Sequence, residues 1–156
     1  SPANSFGFMD GGLDHAISEK FGWSLQERLQ AEIKKRPLKE LLVGETIIIA
    51  TNKPRVPWLI SAPTMRVPMR LRQSVNAYLA MKAILTSALA HPEINTITIP
   101  GLATGCGHLP PATAAHQMWL AYSEVVLGNF TYPLDYGEAQ RHHVNLNPDA
   151  INLWDP

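Results

Sequence analysis

Apolar residues four apart set the first regular pattern in the chain. Leu13, Ile17 and Phe21 share one helical face, so the spacing predicts a short helix from about Asp14, closed by Gly22. Ser24-Leu-Gln-Glu27 reads as a capping box. Leu25, Leu29 and Ile33 then carry a second amphipathic helix to about Arg36, where Pro37 stops it. Two near-continuous apolar runs follow, Glu45–Thr51 and Trp58–Thr64. Such runs fit strands covered on both faces, as in a sheet between helix layers. The stiff turn Asn52–Pro57 is short, which favours antiparallel pairing of the two runs and a mixed sheet.

A long helix is expected from Ser74, its cap, to about Leu89, with Val75, Leu79, Met81, Ile84, Leu85 and Ala88 on its apolar face. The β-branched run Ile94–Ile99 predicts a late strand. Pro110 and Pro111 then suit the first turn of a helix over 111–126, with Met118, Tyr122, Val125 and Val126 as candidates for its buried side. A short helix is expected over 136–146. Residues 147–156 read as ordered coil or a docking arm, because Ile151, Leu153 and Trp154 argue against disorder. The fold class is therefore α/β, three layers, a mixed β-sheet flanked by helices on both faces. The chain reads as a single domain over 1–156, with a core at 1–126 and a C-terminal extension at 127–156 packed on it.

Composition narrows the class. At 156 residues the chain is long enough for one core, and hydrophobic content of 46% fits a soluble globular protein. No apolar run approaches the roughly 20 residues of a membrane span, so no membrane association is expected. No secretion leader is visible in the residues given. Thirteen Lys and Arg balance thirteen Asp and Glu, which argues against non-specific nucleic-acid binding. The single cysteine, Cys106, excludes an internal disulfide and fits a reducing, cytoplasmic setting. The basic run Lys34-Lys35-Arg36 reads as dipole compensation at a helix end.

Two glycine loops carry the candidate chemistry. Asn4 and Asp14 flank a loop holding Gly7, Gly11 and Gly12, which feeds the first helix. Thr104-Gly105-Cys106-Gly107 lies between the late strand and the 111–126 helix. A glycine loop before a helix leaves backbone N–H groups and the positive dipole end free for an anion. Two such loops at strand ends point to a ligand with two phosphates, or a nucleotide sugar, between them. For the first loop alone, a plain turn with Asp14 as N-cap is the competing reading. Arg66, Arg70 and Arg72 follow the second strand and are candidates for a phosphate contact or for solvated loop positions.

Other chemistries fit less well. The six histidines show no zinc-ligand spacing, so no metal and no cofactor is expected. Gly105-Cys-Gly107 lacks the third glycine of a dinucleotide fingerprint, and no Gly-Lys-Ser/Thr makes a P-loop. Cys106 precedes a helix N-terminus, where a thiol can be activated, but the bland reading is a small residue whose backbone N–H acts.

On these residues the chain resembles the macro domain, the ADP-ribose-binding module. Ser1-Pro2-Ala3-Asn4 stands where many members have Asn-Ala-Ala-Asn, and Asp14 falls ten residues after Asn4, as in the family. Ala103–Gly107 and the Ala114-Ala115 pair resemble the family's phosphate loop and the helix after it. The resemblance covers about residues 1–126. It implies that ADP-ribose or an ADP-ribosyl group binds between the loops. Ser5, Gly11, Gly12, Leu13, Ala103, Thr104, Gly105, Cys106, Gly107 and His108 would form the binding set. In members that hydrolyse the ADP-ribosyl linkage, Asn4 and Asp14 would hold the distal ribose and place a water. The sequence departs from the family in three ways. It has no counterpart of the Asp that reads adenine, its second loop is one residue shorter, and it begins at the Asn loop. The expectation is that earlier strands are missing from the sequence or that another strand replaces them. A non-catalytic nucleotide-binding or structural module of a larger bacterial or phage assembly is the alternative.

Overall fold

The two apolar runs pair as expected. In a computed structural model, which describes residues 1–150, β1 (Ile47–Ala50) runs antiparallel to β2 (Trp58–Ser61), with Ile48 opposite Ile60. Both strands are shorter than their apolar runs. Beyond Ser61 the chain leaves β1 and bonds to the N-terminal residues instead. Ala62 N–H donates to Ser1 O at 3.0 Å, Ala3 N–H to Ala62 O at 3.2 Å, and Thr64 N–H to Ala3 O at 3.1 Å. Asn4 and Met65 complete this parallel register. The pairing is therefore mixed, and it sets Asn4 beside the end of the second run.

Successive residues of a strand point to opposite faces, and two cores result. Ile47, Ile49 and Leu59 pack with Met9, Leu25, Leu29, Ile33 and Leu41 on one side. Ile60 and Ala62 pack with Tyr78, Met81, Ile84, Leu85 and Ala121 on the other. The first layer is α1 (Gly12–Phe21) and α2 (Ser24–Lys35); the second is α3 (Asn76–Ala90) and α4 (Pro111–Val125). Helices thus cover both faces. A fifth helix, α5 (Tyr136–Leu146), rests on α4 in the expected place, and Leu146 reaches the second core.

Four local expectations need correction. Helix α1 starts at Gly12 with Gly11 as N-cap, so Asp14 lies inside the first turn and is not a cap. The Ser24–Glu27 box does not form, because Ser24 is itself helical and Trp23 is the N-cap, with no side-chain cap bond. The buried face of α4 is Thr113, Ala114, Gln117, Ala121 and Glu124, whereas Tyr122 and Val126 are exposed. Gln117 and Glu124 can take that face because each finds a partner. Gln117 Oε1 accepts from Tyr78 N–H at 3.2 Å and its Nε2 donates to Ser74 O at 2.9 Å, so α4 caps the start of α3. Glu124 accepts from Tyr78 Oη at 2.6 Å and pairs with Lys82 at 2.9 Å. Burial opposes its charge, but the Tyr78 and Lys82 hydrogen bonds, the Lys82 charge and a hydrogen bond with His142 together hold the carboxyl below its ordinary range.

The fourth correction concerns the late strand. Residues 94–99 are extended, with Ile97 and Ile99 toward the second core, but they belong to no sheet. Among the described residues, none of residues 95–100 makes a backbone-to-backbone hydrogen bond. A β-branched run supplies the right side chains for a strand, but a strand also needs a neighbouring edge. The predicted role of Ile151, Leu153 and Trp154 lies outside the described residues. Among the described residues, no helix is long and apolar enough to cross a membrane.

Candidate functional site

The parallel pairing of residues 1–4 with 62–65 delivers Asn4 and the first glycine loop to one end of the sheet. The Ala103–Gly107 loop reaches the same end, anchored by Leu71 N–H donating to Gly107 O at 2.7 Å. Only glycine fits at 107, because a Cβ there would lie 2.4 Å from Ala103 O. Ala103 and His108 bracket the loop with φ of 62° and 50°, left-handed values that non-glycine residues rarely adopt. Such strain persists only where surrounding structure imposes it.

Between the loops lies a cavity of about 270 Å³. Asn4, Gly11, Gly12, Leu13, Asp14, Ala103, Thr104, Gly105, Cys106 and Gly107 all line it. Ser5 and His108 do not. Ser5 is buried, its N–H and C=O tied to Arg66 O and Leu41 N–H. His108 is exposed, and its N–H closes a turn onto Gly105 O at 2.9 Å.

The N–H groups are the main polar feature of this cavity. Among the described residues, those of Thr104, Gly105, Cys106 and Gly107 have no hydrogen-bond acceptor in the protein. Those of Gly12, Leu13 and Asp14 form the uncapped first turn of α1. Two sets of unpaired donors thus line one cavity, while no Lys or Arg does. Arg66 is instead bound by Glu40 through bonds of 2.7 and 3.1 Å, and its guanidinium lies over the Phe6 ring. The Glu40 carboxyl is pulled below its ordinary range by those bonds. Neither Arg70 nor Arg72 lines the cavity, and nor does Arg66.

Asp14 is only 7% exposed, and one carboxylate oxygen accepts the Ser1 hydroxyl. Burial pushes its pKa up, against the opposing pull of the Ser1 hydrogen bond and the positive charge on the Ser1 nitrogen. Asn4 works within its own loop. Its Oδ1 accepts from Phe6 N–H at 3.1 Å and Phe8 N–H at 3.2 Å, and its Nδ2 donates to Phe8 O at 2.8 Å. An amide NH₂ has two hydrogens, which leaves one for another acceptor.

Sequence reasoning missed Thr64, Met65, Pro68, Phe8 and Asp10, which also line the cavity. Thr64 is 1% exposed and its hydroxyl has no partner among the described residues. The missed signal was register: once Ser1–Asn4 pairs with 62–65, Thr64 must stand next to the Asn loop. Among the described residues, no group of three or more His, Cys, Asp or Glu could hold a metal ion.

The family model for the macro domain matches residues 1–118 of this chain. The chain belongs to the macro domain family. An uncharacterized protein of Aquifex aeolicus is 31% identical over 119 residues, covering 76% of this chain and 67% of that protein. An uncharacterized protein of Aeropyrum pernix is 31% identical over 123 residues, covering 79% of this chain and 61% of its own length. The chain thus spans about two thirds of the length of these relatives. Among solved structures, an Oceanobacillus iheyensis macrodomain mutant with ADPR superposes with a TM-score of 0.69 at 19% identity, covering 90% of this chain and 81% of that one. The macrodomain of Mycobacterium tuberculosis DarG superposes with a TM-score of 0.66 at 15% identity, with 78% of each chain covered. The chain shares the α/β macro-domain fold with these solved structures.

Proposed function

We propose that this macro domain binds ADP-ribose, or an ADP-ribosyl group on a larger molecule, in the cavity between its two glycine loops. The observation that carries the reading is the pair of unpaired N–H sets, residues 104–107 and 12–14, facing one cavity that no Lys or Arg lines. Backbone donors can cradle a diphosphate without side-chain cations, and the α1 dipole adds to the attraction. The O. iheyensis neighbours solved with ADPR and with ADP support the choice of ligand. The setting that fits the single cysteine is cytoplasmic, and the neutral charge balance fits no non-specific nucleic-acid partner.

The same site gives a chemistry for hydrolysis. Asp14 sits buried at the wall of the cavity with a raised pKa, a state suited to orienting or deprotonating a water beside the distal ribose. Asn4 is a positioning residue in this account: it fixes the loop through Phe6 and Phe8 and keeps one N–H for a ribose hydroxyl. The test is release of ADP-ribose from an ADP-ribosylated protein by the chain and by Asp14→Ala. The account expects turnover by the former and a loss of about 100-fold or more in the latter, with ligand binding retained. Equal rates would remove Asp14 from the chemistry.

A non-catalytic module is the second reading, and the engagement of Asn4 favours it. An Asn whose amide is mostly spent on its own loop serves the shape of a binding site as well as it serves a reaction. No turnover with either chain, together with intact ADP-ribose binding, would select this reading.

A further inference from the structure

The Asn4 side of the glycine-loop cavity carries two exposed side chains that a diphosphate between the loops leaves unused, Phe8 and Asp10. Met9 between them explains their direction. Its N–H donates to Gln26 Oε1 at 2.6 Å, its C=O accepts the Ser18 hydroxyl at 3.0 Å, and its side chain is buried in the first core. With Met9 pinned and turned inward, its two neighbours stay outside, Phe8 at 53% exposure. Asn4 holds Phe8 by both backbone groups, so the ring stands beside the amide assigned to the distal ribose. The Asp10 carboxylate makes no hydrogen bond and no ion pair among the described residues, and the nearby Arg66 is already taken by Glu40. Nothing crowds this rim, since a Cβ on Gly11 would meet no atom within 4 Å.

An aromatic ring and a free carboxylate, two residues apart on the rim of a cavity that no Lys, Arg or His lines, suit one kind of group. The ring face attracts a cation, and the carboxylate accepts hydrogen bonds from it. A guanidinium meets both demands, because it is planar, always charged and presents paired N–H donors. Exposed carboxylates are common on any surface. What marks this cavity as built for an occupant is Thr64, whose buried hydroxyl has no partner among the described residues. We propose that Phe8 and Asp10 select the acceptor, an ADP-ribosyl group carried on an arginine side chain whose guanidinium leaves the cavity between the ring and the carboxylate. The inference rests on the ADP-ribose reading above and adds to it the class of linkage. A neutral acceptor such as a serine hydroxyl offers the ring no charge and the carboxylate no paired donors.

The test is calorimetric titration of free ADP-ribose, and of a peptide carrying ADP-ribose on an arginine or, at the same position, on a serine, into the chain and into Asp10→Asn. Where the chain turns a peptide over, kcat/KM is compared in place of affinity. The proposal expects the unaltered chain to favour the arginine-linked peptide by about 5- to 10-fold, the scale of a cation–π contact together with a partly exposed ion pair. Asp10→Asn should abolish most of that preference while taking the serine-linked peptide at least as well as the unaltered chain does. Phe8→Leu, which keeps the apolar bulk without the ring face, should lower the preference by about 2- to 3-fold. Equal treatment of the two linkages by the unaltered chain, or a preference that survives Asp10→Asn, would overturn the proposal and leave ADP-ribose binding standing. Binding of free ADP-ribose with neither peptide accepted would do the same. No binding of any of the three ligands would instead sink the ADP-ribose reading, and this inference with it.

Discussion

Asp14 and Thr64 face the same cavity and make opposite demands on it. Asp14 is buried, and its folded-state pKa is raised above the ordinary 3.8 mainly by that burial. The folded chain therefore holds this proton to higher pH than the unfolded chain does. Stability from this group is full below the unfolded value and is lost as pH rises through the folded one. Asp14→Asn keeps an oxygen for the Ser1 hydroxyl and removes the buried charge. Thermal unfolding at pH 7 is expected to show the variant melting about 2–4 °C higher, with the gap closing as pH falls below 4. A variant that melts lower at pH 7 would mean the charge is stabilised by something other than Ser1. Thr64 carries a buried hydroxyl without a partner among the described residues. A buried donor left unpaired costs stability unless a ligand claims it. Thr64→Val preserves the shape, so Tm should hold or rise, while ADP-ribose should bind about 5- to 10-fold more weakly, roughly the worth of one hydrogen bond. Unchanged affinity would exclude the hydroxyl from the ligand contacts.

At the scale of elements, what positions the site is the way helices and strands satisfy one another. Gln117 is fully buried and caps α3 from α4, taking Tyr78 N–H and giving to Ser74 O. Asn147, after α5, donates to the same Ser74 carbonyl at 3.2 Å. Gln117→Ala would leave Tyr78 N–H unpaired in a closed interior, with Ser74 O keeping its Asn147 partner, at a cost of about 1–3 kcal/mol in urea unfolding; a loss under 0.5 kcal/mol would show that water replaces the amide. Apolar spacing located α1, α2 and α3, because the 3.6-residue period is written in side chains alone, while the prolines at its start marked α4. The expected buried face of α4 holds only in part: Met118 and Val125 pack on the second core, whereas Tyr122 and Val126 are exposed. There, pairing of Gln117 and Glu124 with α3 overrides hydropathy, and partners on another helix are not visible in a local window. The run 94–99 shows the converse: correct strand composition without a bonded neighbour.

For the molecule as a whole, the two glycine loops were legible and the wall between them was not. Loop composition and the Asn4–Asp14 interval marked ten residues that now line one cavity. Ser5 and His108 were expected there because they adjoin loop residues, but adjacency in sequence does not fix which way a turn points. Thr64 entered only through the parallel pairing of residues 1–4 with 62–65, a long-range register that no single-sequence period encodes. Arg66, Arg70 and Arg72 were candidates either for a phosphate contact or for solvated loop positions, and none of them lines the cavity. Glu40 occupies the first of them, and backbone N–H groups hold the position that cations would have taken.

Gly105 allows the most direct test of that arrangement. It lines the cavity, its φ is not among the positive ones, and a Cβ there would meet nothing within 4 Å. Gly105→Glu should therefore fold normally while placing a carboxylate among the donors meant for phosphate. The measurement is calorimetric titration of ADP-ribose into the chain and into Gly105→Glu, with AMP and ribose 5-phosphate as controls. The account predicts micromolar binding of ADP-ribose, about −8 kcal/mol, weaker binding of either control, and no detectable heat with the variant. No heat with the unaltered chain, or equal affinity in the variant, would contradict a diphosphate held between the two loops.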